Sequence, residues 1–146
     1  MNCVKLEMLA KDFRDAIEIM GKDDLNGSEH FKDFPSGCCG DTSELLSIYL
    51  KESEINTIYV SGEKGSQSHG WLEYKDYIID ITADQFSDVD DKVIITNNRS
   101  WHDQFEIKWK RVVEIYEIDH YNMQRLMSLY NKIIETISFI NKNKKT

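Results

Sequence analysis

Residues 68–82 read Ser-His-Gly-Trp-Leu-Glu-Tyr-Lys-Asp-Tyr-Ile-Ile-Asp-Ile-Thr. Two runs rich in aromatic and branched side chains flank the polar pair at 75–76. That arrangement is typical of a β-hairpin that closes on a tight turn. The sequence therefore predicts two antiparallel strands over residues 68–82.

The length of the hairpin turn determines which side chains meet. With a two- or four-residue turn, Glu73 faces Ile78, and alternate positions share one face of the sheet. His69 and Asp80 then become diagonal neighbours roughly 7–8 Å apart, within reach of a histidine–carboxylate hydrogen bond. A three-residue turn would reverse this alternation and separate the two side chains.

A helix is predicted shortly before the hairpin. Residues 41–44 (Asp-Thr-Ser-Glu) have the pattern of a capping box, and an apolar stripe follows, so we expect a helix over about 41–52. Cys39 would lie just before this helix or in its first turn. Unpaired N–H groups and the positive end of the helix dipole favour a thiolate there and can stabilise an oxyanion. Gly37 would permit close backbone approach.

Cys39, His69 and Asp80 are the residue types of an acyl-transfer triad. The thiolate would attack a carbonyl, the imidazole would pass a proton to the leaving amine, and the carboxylate would orient the imidazole. Asp80 lies in the apolar run 77–81, where a carboxylate is costly to bury unless it has a partner. A polar partner for Asp80 is therefore expected in any case.

Three short motifs resemble the transglutaminase-like branch of the papain-like fold. They are Gly-Cys-Cys at 37–39 with paired leucines at 45–46, His-Gly-Trp-Leu-Glu at 69–73, and Asp-Ile-Thr at 80–82. The register of the first motif assigns the nucleophile to Cys39 rather than to Cys38. The resemblance implies a papain-like core over about 34–86, in which the nucleophile helix packs on an antiparallel sheet. It also implies an amide substrate in a protein or peptide.

Other residues near the motifs are interpreted from their neighbours. Cys38 is interpreted as pocket wall, Trp71 as a packing residue or substrate contact, and Gln85 as an oxyanion donor or a loop cap. The segment 101–103 (Trp-His-Asp) offers a second histidine–carboxylate pair. Because no nucleophile is in register with that pair, we interpret it as surface.

The flanking segments complete an α+β domain over residues 1–146. Apolar periodicity predicts an N-terminal helix over 4–20 and a C-terminal helix over about 120–140, capped by Asp119. Strands are predicted over 55–61 and 92–96, with one or two more within 104–116. No linker or internal repeat divides the chain, so a single domain is expected.

Composition excludes several classes of function. With 18 Lys plus Arg against 26 Asp plus Glu, the formal charge is −8, which argues against nucleic-acid binding. The sequence contains neither an apolar run long enough to span a membrane nor a signal peptide, so a cytoplasmic location is expected. Three cysteines, two of them adjacent, fit neither a disulfide framework nor a zinc site. No metal or cofactor is expected; the chain is also too short for the extra domains of calcium-dependent transglutaminases.

The sequence leaves several functions open. A cysteine peptidase, amidase or deamidase is favoured, because a small domain has few means of excluding water. Acyl transfer to an amine uses the same triad, and a non-catalytic papain-like module that binds a partner would carry an unreactive cysteine. A toxin or effector that modifies a host glutamine is a further alternative. The sequence does not predict the oligomeric state.

Overall fold

The computed structural model describes residues 3–22, 34–35, 39–114 and 117–144, without the side chains of Cys3, Lys22 and Cys39. These residues form an α+β structure with three helices and one five-stranded antiparallel sheet. The helices are α1 (Cys3–Lys22), α2 (Cys39–Lys51) and α3 (His120–Lys144). The strands are β1 (Ile58–Lys64), β2 (Gln67–Tyr74), β3 (Tyr77–Asp80), β4 (Ile94–Thr96) and β5 (Glu106–Arg111).

The sheet has the strand order β4-β3-β2-β1-β5, with β2 of the hairpin in the central position. Tyr74 pairs with Tyr77 and Glu73 with Ile78, so the turn holds two residues. Lys75, the first turn residue, takes a φ of 54°, as the primed turns of tight hairpins require. The predicted turn length and register are therefore confirmed.

The two faces of the sheet carry different apolar clusters. The larger cluster joins the three helices to one face, and its members include Phe13, Leu45, Leu72 and Ile133. A smaller cluster of Val60, Trp71, Ile78 and Phe105 covers the other face. Alternation along β2 directs Leu72 to the first cluster and Trp71 to the second.

The predicted capping box at 41–44 is wrong. Helix α2 begins at Cys39, two residues earlier, so Asp41 lies in its first turn. The Asp41 carboxylate accepts a hydrogen bond from Arg125 of α3 at 2.6 Å. Glu44 likewise accepts one from Arg111 at 2.6 Å. The two carboxylates that the local pattern assigned to capping thus form ion pairs with distant arginines.

Other boundaries agree more closely with the sequence. Asp119 caps α3 as predicted, because its Oδ1 accepts the Asn122 backbone N–H at 3.0 Å. Strand β1 begins three residues later than expected, and within the described part of 104–116 a single strand forms. None of the helices in the described residues is long and apolar enough to cross a membrane.

Candidate active site

The hairpin brings His69 and Asp80 into direct contact. His69 Nε2 lies 2.7 Å from Asp80 Oδ2, which is the length of a strong hydrogen bond to a carboxylate. The side chains are buried, with residue exposures of 1% for His69 and 2% for Asp80. The two-residue turn explains this contact, since it places both side chains on the same face of the sheet.

Asp80 is held by three hydrogen bonds. Its Oδ1 accepts the backbone N–H of Thr82 at 3.0 Å, and its Oδ2 accepts from His69 and from His102, each at 2.7 Å. Burial by itself would raise the pKa of this carboxyl. The hydrogen bonds from His102 and His69 outweigh burial, so the pKa of Asp80 lies well below its usual range. Asp80 is therefore a carboxylate at neutral pH despite its complete enclosure.

His102 is a site residue that the sequence prediction placed on the surface. It is only 2% exposed, and a short 3₁₀ turn (His102–Gln104) directs its ring onto Asp80. The aromatic residues at 101 and 105, which flank this turn, pack with the cluster around Trp71 and draw the turn over the sheet. The aromatic residues at 101 and 105 were the sequence signal for this turn. Nothing in the local sequence indicated that His102 would contact Asp80 on β3.

Aromatic rings enclose the imidazole of His69. Ring centroids within 6 Å of it belong to Phe86 at 5.1 Å, Trp71 at 5.7 Å, and Trp101 and Phe105 at 5.8 Å each. These rings keep the His69–Asp80 contact out of bulk water. A low local dielectric strengthens electrostatic interactions within the cluster.

Gln85 lies at the other nitrogen of His69. Its amide Nε2 is 3.3 Å from His69 Nδ1 and 3.0 Å from the carbonyl oxygen of Thr82, to which it donates. With Nε2–H directed at Asp80, the neutral imidazole has its lone pair on Nδ1. Gln85 therefore borders the nitrogen that would act as a base. Its role as an oxyanion donor stays a prediction.

Trp71 is part of the wall of the site. It is 1% exposed, and its indole Nε1 donates to Glu73 at 3.3 Å. Glu73 in turn accepts from Arg99 at 2.7 Å. Burial raises the pKa of Glu73, but the hydrogen bonds from Arg99 and Trp71 outweigh burial, so the pKa lies below its usual value. Contact of Trp71 with a substrate stays a prediction.

Arg14 of α1 anchors the turn that follows β3. Its guanidinium forms two parallel hydrogen bonds with Asp84, at 2.7 and 2.8 Å, and a third with the Ile81 carbonyl at 2.6 Å. Arg14 is 3% exposed. The same turn carries Thr82 and Gln85, so this buried cation fixes the backbone that holds Asp80 and faces His69.

The start of α2 approaches the residue next to His69 through Tyr59. A Cβ atom at Gly40 would lie 3.3 Å from the Tyr59 hydroxyl oxygen, and one at Gly70 would lie 2.8 Å from Tyr59 Cε1. The tyrosine ring thus touches α2 one residue after Cys39 and β2 one residue after His69. The side chain of Cys39 and the whole of Gly37 and Cys38 lie outside the described residues.

The buried cluster also offers possible metal ligands. His69, Asp80 and His102 each provide a ligand atom, and these atoms lie within 4.8 Å of one another. The two nitrogen–oxygen distances of 2.7 Å are hydrogen-bond distances, and a cation would have to displace both ring protons. We therefore interpret the cluster as a hydrogen-bonded group.

No relative identifies this site. Comparisons of the chain with models of known protein families, with curated proteins and with solved structures found no match.

Proposed function

We propose that the chain is a cysteine-dependent enzyme that hydrolyses amide bonds in proteins or peptides. Cys39 is the nucleophile, His69 the base and Asp80 the residue that orients His69. The observation that carries the proposal is the buried 2.7 Å contact between His69 and Asp80. In this proposal the α+β structure is a papain-like core of the transglutaminase-like type.

The tautomer of His69 supports the proposed role. Ionised Asp80 can only accept hydrogen bonds, so it selects the Nε2–H form of His69 and leaves the lone pair on Nδ1. Gln85 marks the Nδ1 side of the ring. A base needs a lone pair on the side of the nucleophile and a fixed orientation, and the Asp80 contact supplies the orientation.

The proposed nucleophile lies at a favourable position of the backbone. Helix α2 begins at Cys39, so this residue lies among the first N–H groups of the helix, which have no intrahelical acceptor, and at the positive end of the helix dipole. Both effects stabilise a thiolate. Tyr59 contacts Gly40 and Gly70, so this helix start packs on the strand that carries His69, on the face of the sheet opposite the His69 ring.

The proposed reaction has two steps, formation of a thioester and its hydrolysis. The Cys39 thiol gives its proton to Nδ1 of His69 and the sulfur forms a bond to the amide carbon. The carbon–nitrogen bond then breaks, and His69 passes that proton to the leaving amine. Water then attacks the thioester and gives a proton to His69. The carbon–sulfur bond breaks, the carboxylic acid leaves, and His69 returns the proton to the sulfur, which restores the thiol and the neutral imidazole.

A cleft of about 450 Å³ lies against residues that cover His69. Gln85, Phe86, Trp101 and Phe105 line its inner wall, and each of them also contacts His69. Its rim includes the exposed residues Lys64, Gln67, Ser87 and Asp88. The exposed polar rim leaves this cleft open to water, which favours hydrolysis over transfer to an amine.

The test is the pH dependence of iodoacetamide labelling, with Cys38 and Cys39 resolved by peptide fragmentation. We expect Cys39 to label well below pH 8.5, the approximate pKa of a free thiol. The variant His69→Ala should abolish this advantage. Cys3, far from the motifs in sequence, serves as the internal reference thiol.

The three possible outcomes of the labelling experiment distinguish the candidate functions. If Cys39 labels early and needs His69, screening of amide substrates with and without an added amine distinguishes hydrolysis from transfer. If Cys39 labels like Cys3 at every pH, the proposal is wrong and a partner-binding module is favoured. If Cys38 labels early instead, the nucleophile assignment is wrong although the chemistry stands.

A further inference from the structure

Two histidines share one carboxylate oxygen at the candidate site. The Nε2 atoms of His69 and His102 both lie 2.7 Å from Asp80 Oδ2. The proposed reaction gives a task to His69 alone. The second imidazole, buried and hydrogen-bonded to the same atom, therefore requires its own explanation.

We propose that His102 is a positioning residue whose N–H takes up part of the charge on Asp80 Oδ2 and so limits how tightly Asp80 holds a proton on His69. Each donor at an anionic oxygen offsets part of its negative charge, which weakens the pull on the other donor. The inference deepens the proposed function and rests on it. A base that must also release its proton to a leaving amine works best when its proton affinity is moderate.

Burial makes this influence strong. His102 is 2% exposed, so water cannot readily replace it as a donor to Asp80. Its ring is held between Trp71 and Trp101, with both centroid distances at 4.8 Å. The ring therefore stays directed at the carboxylate.

The hydrogen bond to Asp80 is the polar contact that fixes His102 within the described residues. The other ring nitrogen, Nδ1, is buried and has no hydrogen-bond partner among them. Replacing His102 with phenylalanine thus keeps an aromatic ring between the two tryptophans and removes one hydrogen bond. Glutamine, whose amide nitrogen can reach the position of Nε2, keeps the donor.

Few other charges act on His69 from the described elements packed around it. Asp80 comes from β3 and His102 from the 102–104 turn, while Gln85 and the aromatic rings are uncharged. Glu73 follows His69 and Trp71 on the same face of β2, and it is paired with Arg99 and Lys110. The Cys39 thiol, the proposed nucleophile, would titrate together with His69, so the experiment begins with a variant that lacks this thiol.

The experiment is an NMR titration of the His69 ring in Cys39→Ala protein, alone and combined with His102→Phe or His102→Gln. In the phenylalanine variant we expect the titration midpoint to rise by about half a pH unit or more, a roughly threefold tighter proton. The glutamine variant should stay near the parent. Asp103→Asn, which removes an exposed carboxylate of the same turn, is the matched control and should leave the midpoint unchanged.

The result that overturns the inference is a folded His102→Phe protein whose His69 midpoint is unchanged or lower. If that variant does not fold, His102→Asn replaces it, since its shorter side chain also lacks a donor at the Nε2 position. The same pair of variants is then labelled at Cys39 in the native background. A raised midpoint with an unchanged labelling profile would support the role of His102 and contradict the proposed function.

Discussion

Asp80→Asn is the sharpest test of the site, because an amide cannot satisfy all the donors that meet this carboxylate. The Thr82 N–H donates to one oxygen, and His69 and His102 donate to the other. If the oxygen of the new amide faces the histidines, its NH₂ group faces the Thr82 N–H. If the NH₂ group faces the histidines, their rings must accept instead, and His69 then carries its proton on Nδ1.

Both orientations of the amide in Asp80→Asn should lower the stability of the fold by a measurable amount. A buried donor left without an acceptor costs about 1–3 kcal/mol. For a chain of this size, that corresponds to a melting temperature lower by roughly 3–10 °C. If Cys39 also reverts to an ordinary thiol of pKa about 8.5, its thiolate fraction at pH 6 is about 0.3%, so labelling falls about 300-fold.

Thermal unfolding and the rate of iodoacetamide labelling at pH 6 measure these two effects on one sample. Asp76→Asn is the matched control, since this exposed carboxylate lies in the turn of the same hairpin. We expect the control to change neither quantity. An Asp80→Asn protein that melts and labels like the parent would contradict both expectations, since neither the buried network nor the proposed triad would then depend on the carboxylate.

Three further experiments test the structure around His69 and Asp80. Arg14→Met should lower the free energy of unfolding by about 3–5 kcal/mol in urea denaturation, because it leaves the Asp84 carboxylate without its buried partner. Gly70→Ala should cost about 1–3 kcal/mol in the same assay, because the new Cβ would lie 2.8 Å from Tyr59 Cε1. The pKa of Asp80 is lowered by folding, so its stabilising contribution is complete above about pH 4 and is lost as the pH falls further. The difference in unfolding free energy between the parent and Asp80→Asn should therefore shrink below pH 4.

Two substitutions serve as controls for these perturbations. Lys11→Met removes an exposed ion pair with Asp15 from the same helix as Arg14 and should change stability by less than about 1 kcal/mol. Gly65→Ala adds a Cβ with no atom within 4 Å, at a φ of 63°, so it tests backbone strain without a steric contact. Equal effects of Arg14→Met and Lys11→Met, or an unperturbed Gly70→Ala protein, would contradict the contacts on which the two predictions rest.

The hairpin could be predicted from the sequence because its determinants are local. Alternating apolar and polar residues set the faces of the two strands, and a two-residue polar turn sets the register. The contact between His69 and Asp80 follows from these two facts alone. Similarly, Asp119 could be identified as a cap because the helix it caps begins at the next residue.

Residues whose role depends on distant partners were predicted poorly. Asp41 and Glu44 match a capping pattern, yet their partners are Arg125 and Arg111, which are 84 and 67 residues away. His102 is 22 residues from Asp80 and reaches it only because its turn folds over the sheet. A local pattern carries no information on such contacts, so the sequence assigned the first pair to a helix cap and His102 to the surface.

The composition of the buried cluster supports the proposed function. Enclosing a carboxylate and two imidazoles costs desolvation energy that apolar side chains of similar volume would avoid. The surrounding rings, from Trp71 to Phe105, already form an apolar cluster that could continue through this space. The hydrogen bonds instead fix the orientation of His69, and the ionised carboxylate favours its Nε2–H tautomer. Orientation of an imidazole has value for proton transfer and little for packing, which is why the titration of His69 and the labelling of Cys39 are the decisive measurements on this chain.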